Sequence, residues 1–127
     1  MTEIRTLYRP VGLFELRLIR DANYRVFPPR LPHQPIFYPV LNEEYAIQIA
    51  CDWNSSDVNS GYMGAVTAFD LDMDYLARFE PQIVGSAIHR ELWIPSERLN
   101  EFNAHIVSAI RITRVFYGDQ FSGEKAW

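Results

Sequence analysis

The segment HRELWIP, residues 89–95, places a histidine and a carboxylate two residues apart in an extended run. Side chains alternate along a strand, so His89, Glu91 and Trp93 share one face, while the opposite face is mainly apolar. A carboxylate beside a histidine can bind a sugar hydroxyl and stabilise positive charge developing at a glycosidic carbon. The same pattern is typical of a half-buried strand that exposes polar residues to water, which is the commoner case. Spacing alone leaves both interpretations open.

Two further segments carry residue types suited to ligand binding. Arg9 ends the run LYR, and its forked donors suit a phosphate or the pinning of a loop carbonyl. A surface arginine at the end of a strand is the simpler interpretation. Tyr38 ends the extended run IFY, and Tyr45 lies one turn into the next predicted helix. Tyrosines so placed can line an aromatic pocket, although filling the core is their commoner role.

Other site chemistries lack a candidate in the sequence. His33, His89 and His105 lie far apart, without HxH, HExxH or CxxC spacing, so we expect no bound metal. Cys51 lies near the apolar stripe of a predicted helix, and no base is suggested beside it, which favours a core role over that of a nucleophile. Neither a glycine-rich phosphate loop nor a GxSxG motif occurs in the sequence.

Composition indicates one soluble domain over residues 1–127, with a loose tail at 119–127 whose terminal tryptophan is free to dock. The chain is 48% hydrophobic and 22% charged, with a net charge of −4, which does not support nucleic-acid binding. A single cysteine allows no internal disulfide. The sequence shows no signal peptide and no membrane span, so we expect a cytoplasmic protein. Secretion without a cleaved signal remains an open alternative.

The order of predicted elements indicates an α+β fold, because short strands with uneven connections do not form a regular parallel array. Proline fixes the backbone, so the segment 24–35, with four of the eight prolines, is predicted to be a stiff loop. In the next helix we expect Asn42 as the N-cap and Trp53 in an inward stripe with alanines and isoleucine. The predicted strands are 4–9 (ended by Pro10), 36–38, 62–71, 82–94 (broken at Gly85) and 110–118. The predicted helices are 11–23, 42–53, 73–79 and 95–106. The residues expected to face inward are Ala46, Ile49, Ala50 and Trp53 in helix 42–53, and Leu99, Phe102 and Ile106 in helix 95–106.

Taken together, three segments resemble parts of the ADP-ribosyltransferase superfamily. HRELWIP resembles its catalytic strand, in which a glutamate is followed by two apolar residues and Ile-Pro. IFYPVLNEEYA resembles the strand-to-helix segment of the branch that includes poly(ADP-ribose) polymerases and diphtheria toxin. LYR resembles the first strand of the arginine-containing branch and of the RES-type toxins that act on NAD. The order arginine, tyrosine, glutamate is that of the family, and the whole chain is similar to small bacterial proteins with an ADP-ribosylation label.

The resemblance implies a split, mainly antiparallel sheet with flanking helices and a cleft between its halves. It implies an NAD-dependent ADP-ribosyltransferase or NAD glycohydrolase, with NAD as substrate, a protein, a small molecule or water as acceptor, and no metal. Arg9 would hold the NAD phosphates or the scaffold around them. Tyr38, with Tyr45 behind it, would stack on the nicotinamide. Glu91 would accept a hydrogen bond from the ribose and stabilise an oxocarbenium-like transition state.

The chain also departs from the family pattern. His89 stands where the transferases that modify arginine carry glutamate or glutamine, which argues against arginine as the acceptor. No Ser-Thr-Ser stretch is present, and Thr67 in AVTAF is a weak substitute. In this interpretation the loop 24–35 lines or covers the cleft. The alternative is a non-catalytic protein-interaction module with a degenerate site on the same fold.

Overall fold

The computed structural model describes residues 3–127, and its largest sheet has three antiparallel strands in the order β1–β3–β7. β1 (Ile4–Gly12) pairs along its whole length with β3 (Met63–Asp72), and β3 pairs in turn with β7 (Arg111–Tyr117). As the middle strand, β3 is buried without interruption from residue 63 to 69. A strand covered on both faces needs a nearly continuous apolar run rather than alternation, and this stretch supplies one that only Thr67 interrupts.

Two short ribbons accompany this sheet. In the first, β2 (Ile36–Phe37) pairs with β6 (Ile94–Pro95), and in the second, β4 (Gln82–Ile83) pairs with β5 (Arg90–Glu91); both pairs are antiparallel. Val40 forms isolated bridges to Tyr8 on one side and to Glu91 on the other. The ribbon β4–β5 is thereby joined to β1 through a single intervening residue.

The longest helix, α2, packs closely against the three-stranded sheet. Ala46 and Ala50 of α2 are fully buried. A Cβ at Gly64 on β3 would lie 2.2 Å from the carbonyl oxygen of Ala50, so only glycine permits this approach. The helices are α1 (Leu13–Asp21), α2 (Glu43–Asp52), α3 (Met73–Leu76) and α4 (Leu99–Ala104), with single 3-10 turns at Asn54–Ser56, Val58–Ser60 and Ser96–Arg98.

The core is built around phenylalanine rings, and it anchors the proline-rich loop. The ring centroids of Phe27 and Phe69 are 4.7 Å apart, and those of Phe37 and Phe102 are 5.4 Å apart. The side chain of Asn103 accepts a hydrogen bond from the amide of Phe27 and donates one to its carbonyl, each at 3.0 Å. Because both backbone groups of Phe27 are satisfied by α4, the loop 24–35 is fixed to the core at this point.

Several sequence predictions are confirmed by the structure. The fold is α+β with antiparallel sheets. The side chain of Asn42 caps α2 by accepting a hydrogen bond from the amide of Tyr45 at 2.8 Å. The extended run 82–94 is interrupted at Gly85, whose φ of +91° places it in the region that favours glycine. Leu99 and Phe102 are buried, while Ile106 is partly buried.

Other predictions are wrong. β1 does not end at Pro10 but continues to Gly12. On the side away from β3, β1 is bridged only at Tyr8, so no partner strand there requires an amide proton from Pro10. Trp53 is 52% exposed and Cys51 is exposed, so neither belongs to the core. α2 ends at Asp52 and packs its alanines against the sheet, so Trp53, which follows the helix, lies outside the interface between helix and sheet. The actual helices are shorter than the predicted ones, and the predicted strand 82–94 is replaced by three two-residue strands, the last of which ends at Pro95.

The last residue, Trp127, docks on the domain. Its indole N–H donates to the hydroxyl of Tyr24 at 3.1 Å, and its backbone carbonyl accepts from the hydroxyl of Tyr117 at 2.9 Å. The terminal ring therefore packs at the edge of the core, although 119–127 contains no helix or strand. Within residues 3–127, each helix is too short or too polar to cross a membrane.

The contrast between Phe102 and Trp53 gives a matched test of this packing. Truncation of a buried aromatic ring loses burial and leaves a cavity, so Phe102→Ala should lower the free energy of unfolding by about 3–5 kcal/mol. Trp53→Ala removes a ring of similar size from the surface and should lower it by less than about 1 kcal/mol. Denaturant titration of both variants measures the two losses. Equal losses would contradict the placement of Trp53 outside the core.

Candidate active site

A cleft of about 450 Å³ brings Arg9, Tyr38 and Glu91 together, although they are distant in sequence. One wall comes from β1, and another from the segments on either side of Val40. The remaining residues that line it are largely apolar or aromatic: Pro10, Val40, Ile49, Trp53, Asn54, Val84 and Trp93. The three residues thus lie in one concavity, as a shared ligand would require.

Backbone hydrogen bonds hold these walls in place. Val40 exchanges two hydrogen bonds with Tyr8, at 2.7 and 3.0 Å. On the other side of the same segment, the amide of Leu41 donates to the carbonyl of Arg90, and the amide of Leu92 donates to the carbonyl of Pro39. The segment 39–41 therefore lies between β1 and β5, which explains how an arginine on one and a glutamate on the other come to line one cleft.

The carboxylate of Glu91 is held by two neutral donors. The hydroxyl of Tyr45 donates to Oε2 at 2.9 Å, and the indole N–H of Trp93 donates to Oε1 at 2.8 Å. Within residues 3–127, no cationic side chain forms an ion pair with Glu91. The negative charge is therefore oriented by dipoles and is not cancelled, so it can act on a cationic group entering the cleft.

Tyr45 is positioned by the start of α2. Asn42 caps this helix through its side-chain oxygen, and its side-chain nitrogen donates to the carbonyl of Ile88. The first turn of α2 is thus tied to the run that carries Glu91. Burial, followed by the hydrogen bond to Glu91 and its charge, raises the pKa of Tyr45 to about 12, so the phenol remains a donor at neutral pH.

His89 lies with Tyr45 and not among the residues that line the cleft. The two rings have centroids 4.7 Å apart, and the Nε2 atom of His89 is 2.9 Å from the side-chain oxygen of Gln48. The amide of Ser86 donates to Nδ1 at 3.3 Å, so Nε2 carries the proton that is donated to Gln48. Both ring nitrogens of His89 are engaged within the protein, so His89 supports the ring of Tyr45 and does not line the cleft that a substrate would enter.

Arg9 is already paired within the protein. It is 8% exposed, and its Nε and Nη2 atoms donate to the two carboxylate oxygens of Glu15 at 2.7 and 2.8 Å. Its Nη1 donates to the carbonyl of Tyr38 at 3.3 Å. The hydroxyl of Thr67 in turn donates to the carbonyl of Arg9 at 2.8 Å. This geometry favours the scaffold role over the phosphate role among the two that the resemblance implies.

Arg30 carries positive charge at a site that sequence reasoning mentioned only as part of a loop. It lines a larger neighbouring cavity of about 650 Å³, which shares Arg9, Trp53 and Asn54 with the cleft. Its Nη1 lies 4.0 Å from Glu15, and its Nε donates to the carbonyl of Ile36 at 3.1 Å. Burial, with the charge of Arg9 second, lowers the pKa of Arg30. One carboxylate between two guanidinium groups leaves this group with a net positive charge, and a second carboxylate, that of Asp57, also lines the cavity.

Three aromatic side chains on the cleft are exposed to solvent. Tyr38 is 39% exposed, Trp93 is 47% exposed, and Trp53 is the most exposed of the three. The alternation in the sequence placed Trp93 on an exposed face, left Tyr38 open between a pocket wall and the core, and did not predict the exposure of Trp53. The exposure of Trp53, just after the end of α2, depends on how the helix packs against the sheet, and no local sequence pattern predicts it.

Among residues 3–127, no group of three or more histidine, cysteine, aspartate or glutamate side chains is arranged to hold a metal ion. Comparisons of the chain with protein-family models, with curated proteins and with solved structures gave no match. The interpretation of the cleft therefore rests on its own geometry and charge.

The Tyr45–Glu91 contact predicts a measurable titration. Burial and the contact with Glu91 raise the folded pKa of Tyr45 from 10.0 to about 12, so folding is favoured by this group below about pH 10 and loses that advantage as the pH rises towards 12. Glu91→Gln removes the negative charge but not the burial, so the pKa of Tyr45 should fall by the part of the shift that Glu91 causes. Absorbance titration of the phenolate, with Tyr45→Phe subtracted, measures this shift, and Glu97→Gln is the control. Identical titration with and without the Glu91 charge would contradict the contact.

Proposed function

We propose that this protein cleaves the N-glycosidic bond between nicotinamide and ribose in NAD and passes ADP-ribose to water or to another acceptor. The observation that carries the proposal is the carboxylate of Glu91. It lies on a cleft with Tyr38 and Trp93, is oriented by two neutral donors and has no cationic partner within residues 3–127. The likeness of the fold to the ADP-ribosyltransferases is part of the same proposal.

Cleavage of this bond is favoured by a fixed negative charge beside the ribose, such as that of Glu91. When the bond breaks, its electron pair goes to the ring nitrogen, so nicotinamide leaves as a neutral molecule and positive charge moves to the ribose carbon. A carboxylate already oriented by Tyr45 and Trp93 stabilises that charge without reorganisation, which makes it most effective in the transition state. The oxygen of water or another acceptor then forms a bond to this carbon and loses its proton to solvent.

Part of the charge along the two cavities is complementary to the dinucleotide. The cleft contains the unpaired negative charge of Glu91, while the neighbouring cavity contains the net positive Arg9–Glu15–Arg30 group and, apart from it, the carboxylate of Asp57. NAD carries a positive nicotinamide ring and a negative diphosphate. With the ring in the cleft, the diphosphate would extend past Arg9 towards Arg30, whose forked donors suit phosphate oxygens.

The alternative is a non-catalytic interaction module, and one observation favours it. Arg9 donates three hydrogen bonds within the protein, two to Glu15 and one to the carbonyl of Tyr38, as structural arginines commonly do. In a degenerate site, Glu91 would be retained only for its contacts with Tyr45 and Trp93. Incubation with NAD separates the two proposals, because the module releases no nicotinamide.

The role of Glu91 predicts a large kinetic effect from a small chemical change. Glu91→Gln keeps an oxygen for Trp93 and leaves the Tyr45 hydroxyl a partner, but it removes the charge. Nicotinamide release should therefore fall by about a hundredfold or more, while the affinity for NAD changes little. Release is measured by chromatography, with Glu97→Gln, an exposed glutamate on the following turn, as the control. Equal turnover in wild type and Glu91→Gln would end the catalytic proposal.

The placement of Arg30 predicts an effect on binding. Loss of a charged hydrogen bond to phosphate costs about 1.5–3 kcal/mol, so Arg30→Gln should weaken NAD binding by roughly tenfold to a hundredfold. Arg25→Gln removes the same charge from an exposed position in the same loop and should have little effect. Calorimetry on the Glu91→Gln background avoids turnover. Comparable losses in both variants would show that only the general charge of the loop matters.

A further inference from the structure

We infer that a second groove, on the far side of the wall that carries Glu91, binds a medium-chain fatty acid, with the alkyl chain inside the groove and the carboxylate at its rim. The groove has a volume of about 470 Å³, within the range of about 300–1,000 Å³ that is usual for small-molecule sites. Among residues 3–127, it shares no lining residue with the cleft or with the cavity beside Arg30. The site is therefore separate from the proposed function and does not depend on it.

The groove and the cleft lie on opposite sides of the same extended segments. Val40 and Glu91 line the cleft, whereas the next residue in each segment, Leu41 or Leu92, lines the groove. Successive side chains of an extended chain point to opposite faces, which explains this division. The other wall of the groove comes from α3 and the segment that follows it, residues 73–81.

The interior of the groove is apolar and already ordered. Of the eleven described residues that line it, eight have apolar side chains. Leu7, Leu76 and Leu92 are at most 8% exposed and belong to the main core, so the floor of the groove is fixed. The ring of Phe79 packs against that of Tyr75, with centroids 5.4 Å apart. An alkyl chain that enters a preformed apolar groove gains burial without first ordering the protein.

The charges on the lining favour an anionic head group. The three charged residues are Arg5, Arg78 and Glu80, so the described lining carries a net charge of +1. Within residues 3–127, Arg5 forms no ion pair. The Nη1 atom of Arg78 lies 3.8 Å from Oε1 of Glu101, which is longer than a hydrogen bond. The forked donors of both arginines therefore remain open to a carboxylate, which they suit in geometry and charge.

Glu80 fixes the sign of the charge effects that a test should show. Its carboxylate also forms no ion pair within residues 3–127, so it repels an anionic head group and attracts a cationic one. With a fatty acid in the groove, Arg5→Gln should weaken binding and Glu80→Gln should strengthen it. A cationic ligand would give the opposite pair of shifts.

Calorimetry with decanoate, decan-1-ol and decylammonium, all below the concentration at which they form micelles, compares three head groups on one chain. Decanoate should bind at least about fivefold more tightly than the alcohol, and decylammonium should bind most weakly. Arg5→Gln should remove most of the preference for decanoate over the alcohol, whereas Arg17→Gln, on the exposed face of α1, should leave it unchanged. Each methylene removed from the chain should weaken binding by up to about fourfold.

A blocking variant and NMR locate the site. Ala77 is exposed and lines the groove, so Ala77→Trp should fill it and abolish decanoate binding, with Ala87→Trp, also at an exposed position, as the control. In the wild type, the backbone signals of residues 73–81 and of Leu92 should shift when decanoate is added, a check that needs no variant.

Equal affinities for decanoate and decan-1-ol, tightest binding of decylammonium, or no binding of decanoate at millimolar concentration would each overturn the inference. Decanoate binding that Ala77→Trp leaves intact, with shifts outside the groove, would overturn it as well. A ligand-free dimer that Ala77→Trp dissociates, measured by analytical ultracentrifugation, would show that a second copy of the chain covers the groove in place of a fatty acid.

Discussion

The backbone pairing of Val40 is the constraint on which the site depends. Its amide and carbonyl both bond to Tyr8, and its neighbours on either side bond to residues 90 and 92. These bonds place a single extended segment between β1 and the short strand that carries Glu91. Without it, β1 and the ribbon β4–β5 would lack a common edge, and the arginine, the tyrosine and the glutamate would not line one cleft.

Around this segment, the structure separates charges that could otherwise cancel. Glu15 pairs with Arg9, so that arginine does not neutralise Glu91, although both line the cleft. Glu91 is satisfied instead by neutral hydroxyl and indole donors. Arg30 keeps its positive charge towards the larger cavity. An ordered carboxylate next to exposed aromatic rings, with the guanidinium groups of Arg9 and Arg30 nearby, is the arrangement that supports the proposed cleavage of NAD.

The sequence predicted local features well and tertiary features poorly. The cap at Asn42, the break at Gly85 and the buried Phe102 follow from short-range chemistry, and the structure confirms them. The exposure of Trp53 and the pairing of Arg9 with Glu15 depend on contacts between elements, which periodicity does not encode. The convergence of Arg9, Tyr38 and Glu91 was expected only from resemblance to a family. Its physical cause, the pairing of Val40, has no signal in the residue pattern.

A crystal structure of the Glu91→Gln variant soaked with NAD tests the central claim most directly, because the substrate should bind without being consumed. The account predicts the nicotinamide ring against Tyr38 and Trp93, its ribose hydroxyls within hydrogen-bond distance of residue 91, and the diphosphate directed towards Arg30. NAD bound elsewhere on the domain, or bound in the cleft with its ribose turned away from residue 91, would contradict it.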